Sequence, residues 1–518
     1  PPARRPGPRR ITDLMNRHFD ISRFARSLSI AFLATVFGLP PIANADQLRL
    51  IESDGNRATL DVRVVASEQG VTLVELNTGE YRLIPNGAIL DRKPTDDPVP
   101  MTAAELAAHL CKKFPDGLTR SMDLDQYAVV VVLGSPIRKP QEARVKTILT
   151  RATKFLKAVE SVYSSYCKRA EMVVEPPRLP LGMLIFETER DFDEYAAKST
   201  GGGANLAVRI SGFYSGLSNL LAMRLSECLS FEVPAHEAMH QQSYNRGTFQ
   251  RLASIPRWFD EGLATGFETV GAKISGSPFR ISTRYARQAL DSNRVSWDDM
   301  LKTDQIFLGD VLVGEAYGQA WGLHWLLLTR HKKGYAKYVQ NLATKLPLQK
   351  QTGDERMRDF VDAFGKRPDE IEAEFLPMLN AKYDKARKVE SEHQADPGTL
   401  IVNDGLADVE VLAERTPQFG NALLVTGRLR NASPIRPMSF YVCVETDTGA
   451  CSEWFVPDVP VNQIVNLEKR PAVASGNIAA LVRPSRSFSV KIRSTTPDSD
   501  EAKDWKLGKY PGSVRGIR

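Results

Sequence analysis

His236-Glu237-Ala238-Met239-His240 places two imidazoles and a carboxylate within five residues. On a helix, residues four apart lie on one face, one turn apart, so His236 and His240 can grip a single metal ion. Glu237, next to the first of them, is then placed to take a proton from a water beside that ion. Zinc is the ion this signature suits, and a catalytic zinc takes three protein ligands while leaving a fourth position open. Glu261 supplies the third. It lies twenty-one positions after His240, inside Trp258-Phe259-Asp260-Glu261-Gly262-Leu263-Ala264, on a second helical pattern over 254–269. Residues 245–249 are polar and contain Gly247, which suits a turn between two antiparallel helices. Gly262 and Ala264 are small enough to let the second helix lie close to the first. The competing reading is a solvated amphipathic helix followed by an ordinary surface carboxylate; the two motifs together, at workable spacing, favour the metal site.

These residues resemble the gluzincins of the peptidase MA clan, and most closely a bacterial family of exported gluzincin-like proteins without assigned activity. The shared pattern is H-E-x-x-H-Q, then W-x-x-E-G-x-A, then a helix opening with tyrosine. It reads here as His236 to Gln241, Trp258 to Ala264, and Tyr317-Gly318-Gln319-Ala320-Trp321-Gly322. The likeness covers residues 126–385, about half the chain. It implies a gluzincin catalytic domain, zinc on His236, His240 and Glu261, Glu237 as general base, and Tyr317 as a hydrogen-bond donor to a developing oxyanion. Tyr317 recurs with Trp321, His324 and Trp325 at helical spacing, so a plain core stripe fits these residues too. His324, on the same face, is a further candidate for supporting the ligands or the oxyanion. The G-x-M-E-N strand with which aminopeptidases of the clan hold a free amine has no counterpart here. The strand pair before the metal helix, 210–215 and 217–223, carries no carboxylate. Endopeptidase action is therefore expected over aminopeptidase action. Gly212, Phe213 and Tyr214 mark a strand edge that could align an extended peptide through backbone hydrogen bonds.

The elements that must position these groups read as an α+β chain. Residues 127–133 and 181–186 are runs of β-formers, 141–170 and 189–198 are amphipathic helices, and helices dominate from the metal motif to about residue 388. The catalytic domain is thus expected over 101–387. Its first helix, 101–113, has Thr102 as N-cap with Glu105 three residues on. The Gly201-Gly202-Gly203 run is a flexible loop, because no Lys-Ser follows it to cradle phosphate. Before the domain, β-formers at 59–65, 71–76 and 81–84 suggest a small β-barrel-like module over 46–100. After a charged linker, 388–400, strand-like segments at 422–430, 438–445, 453–456 and 488–493 suggest an Ig-like β-sandwich over 401–495, then a loose tail over 496–518.

The first 45 residues read as a secretory signal: arginines, an apolar run over 27–39, and Ala43-Asn44-Ala45 for cleavage, with Met15 as an alternative start. The apolar run is short for a membrane span, so no stable anchor is expected after cleavage. This segment carries seven arginines and two aspartates, a net of +5 out of the chain's +6, which leaves +1 for the remainder. No nucleic-acid footprint remains. A periplasmic or secreted location is expected, and the resemblance implies a bacterial source. Five cysteines suit an oxidising compartment, and Cys443 and Cys451 are expected to face each other across a hairpin turning at Asp447-Thr448-Gly449, as a disulfide. Cys111, Cys167 and Cys228 are left unassigned. The expected activity is zinc-dependent hydrolysis of a peptide or protein substrate. The alternative is a catalytically silent, metal-stabilised scaffold of the cell envelope, against which an intact Glu237 argues, since a purely structural zinc needs no base.

Overall fold

The computed structural model describes residues 45–509, apart from 69, 201–209, 269–273, 275–276, 291–294, 308–312, 391–398, 405, 417–421, 447–449 and 475–487. The expected signal segment (except Ala45), the triple-glycine loop and the Asp447-Thr448-Gly449 turn lie outside the described residues.

Strands β1 (Ala45–Ile51), β2 (Arg57–Glu68), β3 (Val71–Glu75), β4 (Tyr81–Pro85) and β5 (Ile89–Thr95) form one antiparallel sheet in the order β4-β3-β2-β1-β5. Leu48, Leu50, Val62, Val74 and Ile84 give it a small core of its own. Strands β1 and β5 are absent from the sequence reading. β5 is solvent-facing along almost its whole length and so carries no apolar alternation.

The central unit starts at α1 (Ala103–Cys111), which opens on the expected capping box: the Glu105 N–H donates to Thr102 Oγ1 at 3.2 Å and the Thr102 N–H to Glu105 Oε2 at 2.7 Å. Then come β6 (Thr119–Leu124), β7 (Tyr127–Val132), α2 (Lys139–Ala170), β8 (Leu181–Phe186), α3 (Glu189–Thr200), β9 (Gly212–Ser215) and β10 (Leu220–Arg224). The sheet order is β6-β7-β8-β10-β9, with β7, β8 and β10 mutually parallel and the outer strands antiparallel. β7 and β8 are apolar at every position because both faces are covered. Val129, Val131, Met183 and Ile185 meet α2 in the main core, while Val130, Val132, Leu184 and Phe186 meet α1 and α3. Each such buried side chain contributes roughly 1.5–3 kcal/mol. β9 is thereby an edge strand of a sheet whose interior is fixed.

Helices follow: α4 (Glu227–Ser230), α5 (Glu232–Asn245), α6 (Arg257–Thr265), α7 (Thr283–Ala289), α8 (Trp297–Lys302), α9 (Val313–Arg330), α10 (Lys332–Ala343), α11 (Gly353–Phe364) and α12 (Pro368–Glu390). No helix among the described residues is long and apolar enough to cross a membrane. α12 runs on to Glu390 and the next strand begins at Thr399, so the expected linker at 388–400 is narrower than its polar composition suggests.

Strands β11 (Thr399–Asp404), β12 (Ala407–Thr416), β13 (Ala422–Asn431), β14 (Met438–Thr446), β15 (Ala450–Val459), β16 (Ile464–Pro471), β17 (Val473–Ala474) and β18 (Phe488–Thr495) make two four-stranded sheets, β11-β12-β13-β16 and β17-β15-β14-β18. Val409, Val425 and Leu467 of the first share a core with Val442 and Trp454 of the second. Two expectations are corrected here. Residues 500–506 are not loose: α13 (Asp500–Lys506) carries Trp505, 2% exposed, against Tyr441 and Phe455. Cys443 stands opposite Glu453, and Cys451 opposite Glu445, so the two sulfurs are diagonal rather than facing, and no disulfide joins them. The register is set by Thr446, whose Oγ1 bonds both the N–H and the carbonyl of Ala450 at 3.0 Å.

This unit is docked on the central one. Arg436 Nε lies 2.7 Å from Glu187 Oε1 with both side chains buried, and Arg493 reaches Asp193 at 3.3 Å.

Candidate metal centre

Glu232, Ala235, Glu237, Ala238, Met239, Gln241 and Gln242 favour helix in α5, and Pro234 falls in its first turn, where a missing N–H breaks no helical hydrogen bond. Ala235, Ala238 and Met239 anchor it in the main core. The helix ends at Asn245, whose side-chain N–H donates to Gln241 O at 2.8 Å, and Gly247 at φ +83° reverses the chain. Gln241 ties the helix to the sheet by donating to Gly182 O at 3.0 Å and Asn219 O at 3.3 Å. The imidazoles of His236 and His240 project from this fixed rod one turn apart, both buried, with Nε2 atoms 3.1 Å from each other.

α6 starts after Pro256, later than the sequence pattern indicates. Its first N–H, on Arg257, donates to Asp304 Oδ1 at 2.9 Å, and Asp304 is gripped in turn by both terminal nitrogens of Arg356 at 2.8 and 2.9 Å. Trp258, Phe259 and Leu263 are buried on the core side. On the other side Glu261 Oε2 lies 3.2 Å from His236 Nε2 and 3.7 Å from His240 Nε2. The three residues offer ligand atoms all within 4.8 Å of one another, a grouping that could hold a metal ion. The small face of α6 serves another contact than the one expected. A Cβ on Gly262 would stand 2.7 Å from the Ala320 carbonyl and 2.6 Å from the His324 ring, so Gly262 lets α6 touch α9 rather than α5.

Two carboxylates that the sequence reading passed over complete the cluster. His236 Nδ1 is 2.8 Å from Glu268 Oε1, and His240 Nδ1 is 2.8 Å from Asp260 Oδ1. Each carboxylate is held by a phenol: Tyr285 donates to Glu268, and Tyr244 donates to Asp260 Oδ2 at 2.9 Å. Burial favours neutral imidazoles, but these carboxylates and Glu261 outweigh it: His236 is raised to about 10 and His240 stands well above its ordinary value. Burial would push Glu261 up, yet hydrogen bonds from the two imidazoles hold it well below the usual carboxylate range.

Glu237 lies on the same helix with its carboxylate turned to the sheet edge, where the Tyr214 N–H donates to Oε2 at 2.8 Å. Removal from bulk water raises its pKa, and Glu261 adds to the rise while the imidazoles oppose it. Gly212, Phe213 and Tyr214 all fall on β9. The Phe213 ring packs on the far face, with Phe192 and Tyr195, and Tyr214 stacks on Tyr244 while its hydroxyl donates to Asn219 Oδ1 at 2.8 Å. The contact this strand makes to Glu237 is through the Tyr214 backbone N–H. Tyr317 comes from α9, its ring 6.3 Å from that of His236, and burial together with the Glu261 charge raises its pKa far above the ordinary phenol value. His324 does not join the cluster. It is sealed between Trp258 and Phe259 with Nδ1 at 3.1 Å from the Tyr335 hydroxyl, and burial lowers it to about 3. Apart from this cluster, Cys443, Cys451 and Glu453 also bring possible ligand atoms within 4.8 Å of one another.

The family described as "Protein of unknown function (DUF1570)" matches residues 233–349, a span from the start of α5 past the end of α10. No curated protein matches the chain.

Proposed function

We propose that the chain is a zinc-dependent hydrolase of peptide bonds acting outside the cytoplasm, as an endopeptidase rather than an aminopeptidase. The observation that carries this reading is the convergence of His236 Nε2, His240 Nε2 and a Glu261 oxygen within 4.8 Å, with Glu237 on the same helix. Two imidazole nitrogens and one carboxylate oxygen are a donor set that suits zinc, and three protein ligands leave room for substrate. The finer architecture belongs to the same proposal: a gluzincin-like catalytic domain between a β-barrel-like module and an Ig-like sandwich.

A zinc ion held there supplies Lewis acidity to a water and to the carbonyl of the scissile bond. The protein does the rest. Asp260 and Glu268 hold the imidazoles so that both Nε2 atoms face inward. Glu237 accepts the proton of the attacking water and returns it to the departing amine, and its raised pKa brings it nearer to neutral working pH. The Tyr317 hydroxyl, held near Glu261, is a donor for negative charge developing on the carbonyl oxygen. β9 offers an edge along which a peptide can extend by backbone pairing.

The test is to purify the exported form, measure zinc per chain, and follow cleavage of an unfolded protein with and without chelator. One zinc per chain and chelator-sensitive cleavage are expected. Stoichiometric zinc without cleavage of any member of a broad peptide library would favour the scaffold reading, and absence of zinc affinity would end both.

A further inference from the structure

Arg251 lies in the segment between α5 and α6, is 3% exposed, and bonds into neither helix. Its guanidinium faces two parts of the chain at once. Nη2 meets Glu75 Oε1 at 2.7 Å and Nη1 donates to Gly79 O at 2.7 Å, both in the N-terminal β sheet and its β3–β4 turn. The same Nη1 lies 3.3 Å from Gly216 O, in the turn joining β9 to β10. The planar group sits 3.6 Å above the Tyr81 ring, and the Tyr81 N–H donates to Leu217 O at 2.7 Å, a second tie between that sheet and the same turn. Beyond the turn, Asn219 bonds the Tyr214 hydroxyl and pairs reciprocally with Asn245 at the end of α5. Tyr214 in turn presents its amide to Glu237 at 2.8 Å.

We propose that the N-terminal β sheet is a working part of the metal centre: through Arg251 it clamps the β9–β10 hairpin and so holds the Tyr214 amide against Glu237. Arg251 is a positioning residue and touches no reacting atom. A short edge strand is paired on one side only, so by itself it frays; a clamp at its turn supplies the missing constraint. The forked, planar guanidinium explains the residue type, since it must satisfy acceptors on two elements while lying flat on a ring. The catalytic meaning of the clamp rests on the hydrolase reading above, but the clamp itself does not.

The experiment is site-resolved amide hydrogen exchange on the full zinc-loaded chain carrying Arg251→Met, beside Arg251→Lys, with zinc content and turnover measured on each. The expected result is exchange at Tyr214 at least tenfold faster in Arg251→Met, with β7 and β8 unchanged, one zinc retained, and turnover lowered tenfold or more at little change in KM. Arg251→Lys keeps the charge without the fork and should fall between. Unchanged exchange at Tyr214, or an equal rise across all three strands, in whichever variant folds, overturns the clamp. A wild-type chain that cleaves nothing while Arg251→Met still loosens β9 rejects the hydrolase reading and leaves the clamp standing.

Discussion

Asp260 and Glu268 each accept at the Nδ1 of one histidine, which leaves both Nε2 atoms for a cation and fixes the ring planes. Replacing either carboxylate, as Asp260→Asn or Glu268→Gln, is expected to weaken zinc binding about 10- to 100-fold without removing a ligand, as competition with a chromophoric chelator would measure. Their pull on the imidazoles has a pH consequence. His236 is raised from 6.5 to about 10 in the ion-free protein. The stability this pairing adds is therefore complete below about pH 6.5 and is lost as pH rises through about 10. Thermal denaturation of the ion-free chain should fall across that window. Zinc must also displace protons from the imidazoles, so calorimetry in buffers of different ionisation enthalpy should detect proton release on zinc binding at neutral pH. The exchange Glu237→Gln is expected to keep zinc and to lower turnover at least a thousandfold, a loss of about 4 kcal/mol of transition-state stabilisation; retained turnover would dismiss it as the base. The histidine pair could be read from the sequence because its geometry is local: four residues of helix fix both imidazoles. The supporting carboxylates could not. Asp260 stands inside a quoted motif, yet its partner Tyr244 lies on another helix, and the Glu268 partner Tyr285 is brought near by packing alone.

At the level of the elements, the contact between α6 and α9 is governed by a missing side chain. The substitution Gly262→Ala would drive a methyl to 2.7 Å from the Ala320 carbonyl. Backbone on one side and a buried ring on the other cannot yield, so we expect a loss of about 1–3 kcal/mol in chemical denaturation and weaker zinc binding as Glu261 shifts. The sequence marked Gly262 as a site of close approach but paired it with the wrong helix. Small residues announce that something comes near, and only tertiary packing says what. Strands β7 and β8 were plain in the sequence because burial on both faces makes them apolar throughout. β5 and α13 were not, because the first faces water and the second is a short helix held by the tertiary packing of Ala502 and Trp505.

Across the whole molecule, the central unit is tied to both flanking units: its own Arg251 reaches Glu75 of the N-terminal sheet, and Arg436, between β13 and β14, reaches back to Glu187. Burial raises the Glu187 pKa, and Arg436 opposes the rise. Removing the cation by Arg436→Met leaves a carboxylate stranded from water, and a loss of about 3–5 kcal/mol is expected, read as a lower denaturation midpoint with zinc content intact. The same tie has a bearing on truncation. Arg436 and Arg493 close onto Ser135, Glu187 and Asp193, about 250 to 300 positions earlier in the chain. Every residue of the proposed metal centre lies before position 320, well ahead of those arginines in the chain. A chain ending before residue 436 would keep that centre's residues, and Asp193 would keep Arg224, but buried Glu187 would have the Gly134 N–H and no cation, so such a truncation is expected to fold less stably.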